Sequence, residues 1–376
     1  MDTAVCMIVV FRIRIDPVPK IVVFEIPEIS KKFLIMRMIP LLFSLVFCVL
    51  TFQTPLEAGE PVKLIFDTDI GNDIDDALAL AVIHALQSRG ECELLAVTSS
   101  KDNSFSAICC DVINTFYGRP GIPLGRVHHG ATPEEGAYVR KVVEYSENDK
   151  PVFPRRYQSA EEIPEAVTVL RKILAAQADE SVVLVVVGFS TNIARLLQSP
   201  ADEASSLTGK ELVAKKVKLL SQMIGRFDKD KPASFHEYNV KIDIPAARTL
   251  YKLWPANVPV VVSGWEVGRA IQNRATSIIH DYNYVKYHPV KIGYEYWHKM
   301  PYDRPTYDLT SVLYAVRPQR GYFGLSESGK LAINEQGKLE FSADPAGKHR
   351  YLTVTPEQIV RTQEVLEALS SQPPAP

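Results

Sequence analysis

Residues Lys63–His84 read KLIFDTDIGNDIDDALALAVIH. Leu64-Ile65-Phe66 is a short apolar run, the mark of a buried strand. The acids Asp67, Asp69, Asp73, Asp75 and Asp76 follow directly. Ala77, Leu78, Ala81, Val82 and Ala85 then recur at helical spacing. The acids therefore occupy a strand-to-helix turn, with Gly71 supplying backbone freedom. Open α/β sheets bind ligands at this carboxyl end of their strands. Carboxylates this close repel one another unless positive charge sits among them. A hard divalent cation with oxygen ligands answers that need. No Cys or His lies in the cluster, which argues against zinc. Asp75 and Asp76 also suit a helix N-terminus. Capping uses one or two acids, however, and leaves Asp67 and Asp69 without a task.

The chain after this turn keeps a βαβ rhythm, which predicts parallel strands and right-handed crossovers. Glu93–Val97 reads as a strand leading to Asn103, and 107–117 as a helix. Residues 126–160 are polar and predict a long surface loop, a candidate lid. Residues 160–178 predict one amphipathic helix. Ser181–Val187 (SVVLVVV) is a buried strand running into Thr191-Asn192-Ile193-Ala194. Residues 216–224 and 258–262 predict further strands. Between them, Glu237 and Asn239 are expected on an extended segment, with side chains pointing the same way. Residues 277–300 are rich in Tyr, His and Trp, suited to stacking on a base or to packing. Asp308 opens an apolar helix. The fold class is α/β: one domain over 60–370 with a mostly parallel open sheet, a Rossmann-like core.

DTDIGNDIDDALAL resembles the metal-binding signature of the inosine-uridine preferring nucleoside hydrolases. Members carry Asp-x-Asp, then Gly, then an Asp-Asp-Ala that opens a helix. This chain has two extra residues between Gly71 and the Asp-Asp pair. The Thr191-Asn192 turn and the helix-opening Asp308 resemble the family's other signatures. The resemblance implies one Ca2+ held by Asp69, Asp76, the Thr191 carbonyl and Asp308. It implies Asp69 as general base, with Asp67 and Asp73 behind the ligands. It places Asp75, Asn103, Met223, Glu237 and Asn239 at the ribose. Studied branches have a His before the last ligand, where this chain has Tyr307. Leaving-group candidates are therefore Tyr307, His298 and His236. The activity implied is hydrolysis of an N-ribosyl bond.

Two other readings compete. Asp67-Thr68-Asp69 after an apolar strand also resembles the first motif of aspartate-nucleophile phosphohydrolases, with Mg2+ and a phosphorylated Asp67. A calcium-dependent ribosyl-binding protein without turnover is the third. An EF-hand is excluded, because the twelfth position from Asp67 is Leu78.

Composition narrows the partners. With 376 residues, 46% apolar content and net charge −2, the chain builds a large core and shows no basic surplus for nucleic acid. The expected partner is a small nucleoside or ribosyl compound; a homo-oligomer, dimer or tetramer, stays open. Residues 36–58 have secretory signal architecture: Arg37, an apolar Ile39–Leu50 and Leu56-Glu57-Ala58. That predicts a secreted or periplasmic protein without stable membrane insertion, the alternative being an N-terminal anchor. Residues 1–35 form an extension ahead of an expected start at Met36 or Met38. The tail 371–376 reads as disordered. Cys92, Cys109 and Cys110 have no metal-type spacing and are expected as packing.

Overall fold

The computed structural model describes residues 60–375. The extension 1–35 and the signal segment 36–58 lie outside the described residues. Among the described residues, no helix is long and apolar enough to cross a membrane.

The first half alternates strands and helices. In chain order these are β1 (Val62–Thr68), α1 (Asp75–Ser88), β2 (Cys92–Ser99), α2 (Ser106–Phe116) and β3 (Leu124–Arg126). Then come α3 (Ala166–Ala175), β4 (Val182–Val186), α4 (Thr191–Gln198), β5 (Val217–Met223), α5 (Ile244–Leu253) and β6 (Val260–Ser263). The chain closes with α6 (Pro289–Trp297), α7 (Tyr307–Val316), β7 (Gly329–Ile333), β8 (Leu339–Ala343), β9 (His349–Thr353) and α8 (Pro356–Ser370).

The main sheet runs β8-β7-β9-β6-β5-β4-β1-β2-β3. Every neighbouring pair from β3 across to β9 is parallel. The edge with β7 and β8 is antiparallel, as is a short strand, Gly324–Leu325, that pairs with β9 off this path. The order 3-2-1-4-5-6 is that of a doubly wound sheet, which reverses direction between β1 and β4. Residues of β1 and β4 alternate between its two faces. Leu64, Phe66, Val183 and Val185 join one core; Ile65, Val182, Leu184 and Val186 join the other. Strands buried on both faces read as unbroken apolar runs, as SVVLVVV does.

Several expectations shift. The amphipathic helix expected over 160–178 is shorter: a 3-10 turn at Ala160–Glu162 precedes α3. Pro164 interrupts, since the residue before proline avoids the helical region. The polar stretch 126–160 contains a short helix, Val139–Val143, and a small hairpin. The tail is tied further than expected. Ser371 is buried, and Gln372 Oε1 accepts from Arg89 Nε at 2.7 Å. Cys92, Cys109 and Cys110 are buried free thiols, as expected.

Two histidines lie in the core as neutral imidazoles. His84, on α1, donates Nε2–H to Asn114 Oδ1 at 2.8 Å and accepts from Arg119 at 3.2 Å through Nδ1. Burial, then Arg119, pushes its pKa down to about 3. Burial does the same for His288, also to about 3. A depressed folded-state pKa contributes stability that is full above the ordinary value near 6.5 and lost as pH falls toward 3. We expect the stability advantage of wild type over His84→Gln to shrink between pH 7 and 4, by on the order of 2–3 kcal/mol. Denaturant midpoints of both proteins across that range measure it.

Candidate metal centre and active site

The carboxyl ends of β1 and β4 meet at the switch point, and the acids project there. Gly71 turns the chain out of β1 with φ +121°, a conformation open to glycine. Gly188, beyond β4, lies so close that a Cβ would stand 2.5 Å from the Asp69 nitrogen. Gly188 thus lets the β1 and β4 turns pack together, while a side chain at Gly71 would press on Val139 and Ser106.

Asp75 and Asp76 begin α1, and Asp308 is the second residue of α7. Their carboxylates each offer an oxygen within 4.8 Å of the other two. All three are buried, and so is Asp69 at 4% exposed. The Asp308 backbone N–H donates to Asp75 Oδ2 at 3.1 Å, locking the starts of the two helices together. Thr68 Oγ1 donates to Asp76. Among the described residues, no Lys or Arg forms an ion pair with Asp69, Asp75, Asp76 or Asp308.

Burial, and after it the charge of neighbouring acids (Asp73 on Asp75, Asp69 on Asp76, Asp75 on Asp308), pushes Asp75, Asp76 and Asp308 far above the ordinary carboxylate range. Burial raises Asp69 to about 6, against the pull of Asn72 and Lys101. Burial also raises Asp67 to about 7. Its Oδ2 accepts from Thr98 at 2.6 Å and Asn192 at 2.7 Å, while Oδ1 has no partner. The donor set is all oxygen, buried and uncompensated, which fits a hard divalent cation.

The remaining expected residues fall into three groups. Thr191 starts α4, in the turn beyond β4, and its hydroxyl donates to Asp243 at 2.6 Å. Asn103 lies at the rim, donating to the Pro133 carbonyl at 3.1 Å and accepting from Phe105 N–H at 2.8 Å. Glu237 and Asn239 are not on an extended segment, a correction to the sequence reading. Glu237 caps a short helix, Tyr238–Ile242, and accepts from the Asn239 and Val240 N–H groups. Burial raises Glu237 to about 7. Asn239 donates to the carbonyls of Val187 and Met223, tying the ends of β4 and β5 together. Met223 is buried beside it.

Asp73 lies close enough to the cluster for its charge to raise the pKa of Asp69, Asp75, Asp76 and Asp308. It faces Arg304, which donates to it from Nε at 2.8 Å and from a terminal nitrogen. Tyr307 is half-buried, and burial pushes its phenol up to about 12. It stacks on Trp265 at 6.3 Å, and the Arg304 guanidinium lies 5.9 Å from its ring. His236 and His298 are exposed. The aromatic stretch 277–300 packs against neighbouring segments: Tyr294 stacks on Tyr302 at 4.5 Å, Arg304 covers Trp297 at 4.2 Å, and His288 meets Phe116 edge-on.

Lys101, Arg304, Asn72, Thr98 and Asn192 were not singled out in the sequence. Asn72 and Asn192 lie inside quoted signatures, so their position was a signal. Lys101 and Arg304 gave none, because their acidic neighbours come from other segments.

The site is a buried all-oxygen acid cluster at the switch point of a doubly wound sheet, a group that could hold a metal ion. The chain belongs to the family described as inosine-uridine preferring nucleoside hydrolase, whose model matches residues 64–357. It is therefore a hydrolase of N-glycosyl bonds, in a family that acts on small nucleosides and depends on metal. Solved structures share the fold. A plant nucleoside hydrolase is 18% identical, with a TM-score of 0.59 over 83% of this chain and 100% of its own. A purine-preferring ribonucleoside hydrolase from Gardnerella vaginalis is 16% identical, TM-score 0.60, over 82% and 99%. A type III effector protein complexed with adenosine diphosphate ribose is 16% identical, TM-score 0.58, over 84% and 95%. No curated protein sequence matches the chain.

The cluster's electrostatics give a test. Asp308→Asn removes one buried ionisable group from the cluster, so without metal it is expected to melt roughly 2–5 °C above wild type. On the expectation that Asp308 is a metal ligand, millimolar Ca2+ reverses the order. Thermal scans with chelator and with Ca2+ read both arms.

Proposed function

We propose that this protein is a calcium-dependent ribohydrolase. It cleaves the N-glycosidic bond of ribonucleosides, or of a related N-ribosyl compound, to free base and ribose. One observation carries the reading. Acids that open α1 and α7, 232 residues apart between Asp76 and Asp308, form one buried cluster, and among the described residues no Lys or Arg pairs with them.

In this reading Asp69, Asp76, Asp308 and the Thr191 carbonyl hold the ion, with Asp75 beside them. When bound, Ca2+ supplies the charge that acidifies a water and attracts vicinal ribose hydroxyls. Asp69 accepts the proton of the attacking water as general base. Asp67, held by Thr98 and Asn192, buttresses this wall. Asp75 and Asn103 grip the sugar, and Glu237 and Asn239 shape the pocket floor beyond Met223. The substrate passes through a ribosyl cation-like transition state, which buried carboxylates stabilise.

The leaving-group side differs from branches with a histidine. Tyr307 keeps its proton at neutral pH, with its phenol near 12, so it is a weak acid but a steady hydrogen-bond donor. Bases that leave readily are favoured on this account. The phosphohydrolase reading loses support. Asp67 is 1% exposed, with Oδ2 already accepting two hydrogen bonds, and it cannot meet a phosphate as nucleophile. The described complex of one structural neighbour with adenosine diphosphate ribose supports keeping other ribosyl compounds in the substrate class.

The test is release of free ribose from a panel of nucleosides. We expect turnover that chelation abolishes and Ca2+ restores. Asp308→Ala is expected to lower kcat by at least about 1,000-fold, as loss of a group that stabilises the transition state does. Calcium binding without turnover of any ribosyl compound would refute the assignment.

A further inference from the structure

Lys101 and Asn72 have no task in the scheme above, yet they form one hydrogen-bonded chain ending on Asp69. Lys101 follows β2, and its side chain is 0% exposed. Its Nζ donates to Asn72 Oδ1 at 2.7 Å. An ammonium only donates, so this bond fixes which way the amide faces. Asn72 Nδ2 must then point the other way, and it donates to Asp69 Oδ2 at 2.6 Å.

The backbone of Asn72 is held as firmly as its side chain. Its carbonyl accepts from Trp297 Nε1 at 3.2 Å. The next residue, Asp73, is gripped by Arg304, and its carbonyl accepts from the Tyr138 hydroxyl at 2.9 Å. Asn72 thus lies between a buried lysine on one side and a packed aromatic wall on the other. Its amide has one acceptor and one donor partner and no rotational freedom. The segment that exceeds the family's spacing, between Gly71 and Asp75, carries this residue to the carboxylate.

We propose that Asn72 and Lys101 are positioning residues for Asp69. The amide holds Oδ2 and so turns Oδ1 toward the ion and the water. Lys101 acts through Asn72, by fixing the amide's orientation. Glu134 reaches Lys101 only at 3.9 Å from an exposed position, so it is a weak competitor for the ammonium. This inference rests on Asp69 being a metal ligand and the general base.

The experiment uses the full chain and the variants Asn72→Ala, Lys101→Met and the double variant. Two readouts run side by side: Ca2+ affinity by calorimetry, and kcat and KM on whichever nucleoside wild type turns over. Asn72→Ala is expected to weaken Ca2+ about 10-fold and lower kcat about 10- to 100-fold, the range for partners that orient ligands. KM is expected to stay within about 3-fold, because no sugar contact is lost. Lys101→Met is expected to show the same split. The double variant is expected to be no worse than Asn72→Ala, because both act along one path. Additive losses in the double variant, or wild-type Ca2+ affinity and kcat in Asn72→Ala, overturn the proposal. Should Asn72→Ala not fold, Asn72→Ser is read by the same criteria. If wild type hydrolyses no ribosyl compound, the catalytic reading fails alone, and the calcium arm still decides for or against the positioning of Asp69.

Discussion

Like charges buried together are the constraint on which this structure turns. Asp69, Asp75, Asp76 and Asp308 are enclosed at the end of the sheet, and burial favours their neutral forms. A fold keeps such a cluster only where something compensates it. Here the compensation is partial: helix N-termini at α1 and α7, the Thr68 hydroxyl and the backbone N–H of Asp308. A metal ion could supply the rest. Apolar packing on both faces of the sheet supplies the stability that this costs.

The architecture explains why the acids meet. A doubly wound sheet leaves a crevice where its strand order reverses, and loops at that edge come from distant parts of the chain. β1 brings Asp67 and Asp69, α1 brings Asp75 and Asp76, β4 brings Thr191, and α7 brings Asp308. Gly188 lacks the side chain that would keep the β1 and β4 turns apart. The second ring of contacts is polar: Thr98 and Asn192 on Asp67, Asn239 across the ends of β4 and β5. These rigid strand ends hold the carboxylates better than mobile loops would.

Charged residues outside the cluster set its sides. Arg304 binds Asp73 and covers Trp297, so it joins the acidic turn to the segment before α7. Lys101 is enclosed where a surface lysine would be expected, and it faces Asn72 rather than pairing closely with a carboxylate. Tyr307 sits between Trp265 and Arg304, where branches with a histidine hold an acid.

Much of the fold and the heart of the site could be read in the sequence. Apolar runs such as Leu64–Phe66 and Val182–Val186 identify strands because burial on both faces leaves no polar positions. The density of acids after β1 signals a cation because electrostatics at that spacing admits few alternatives. Asp308 could be joined to them only through resemblance, since nothing local marks it apart from other helix-opening acids. The sequence could not show that Asp73 faces Arg304, that Glu237 caps a helix rather than lying extended, or that Lys101 fixes Asn72. Each depends on a partner far away along the chain, or on a local turn that competes with an extended backbone. Composition and periodicity are local quantities, and they determined the elements and the acidic turn. The pairing of side chains across the switch point is decided by how those elements pack, and only the tertiary structure carries that information.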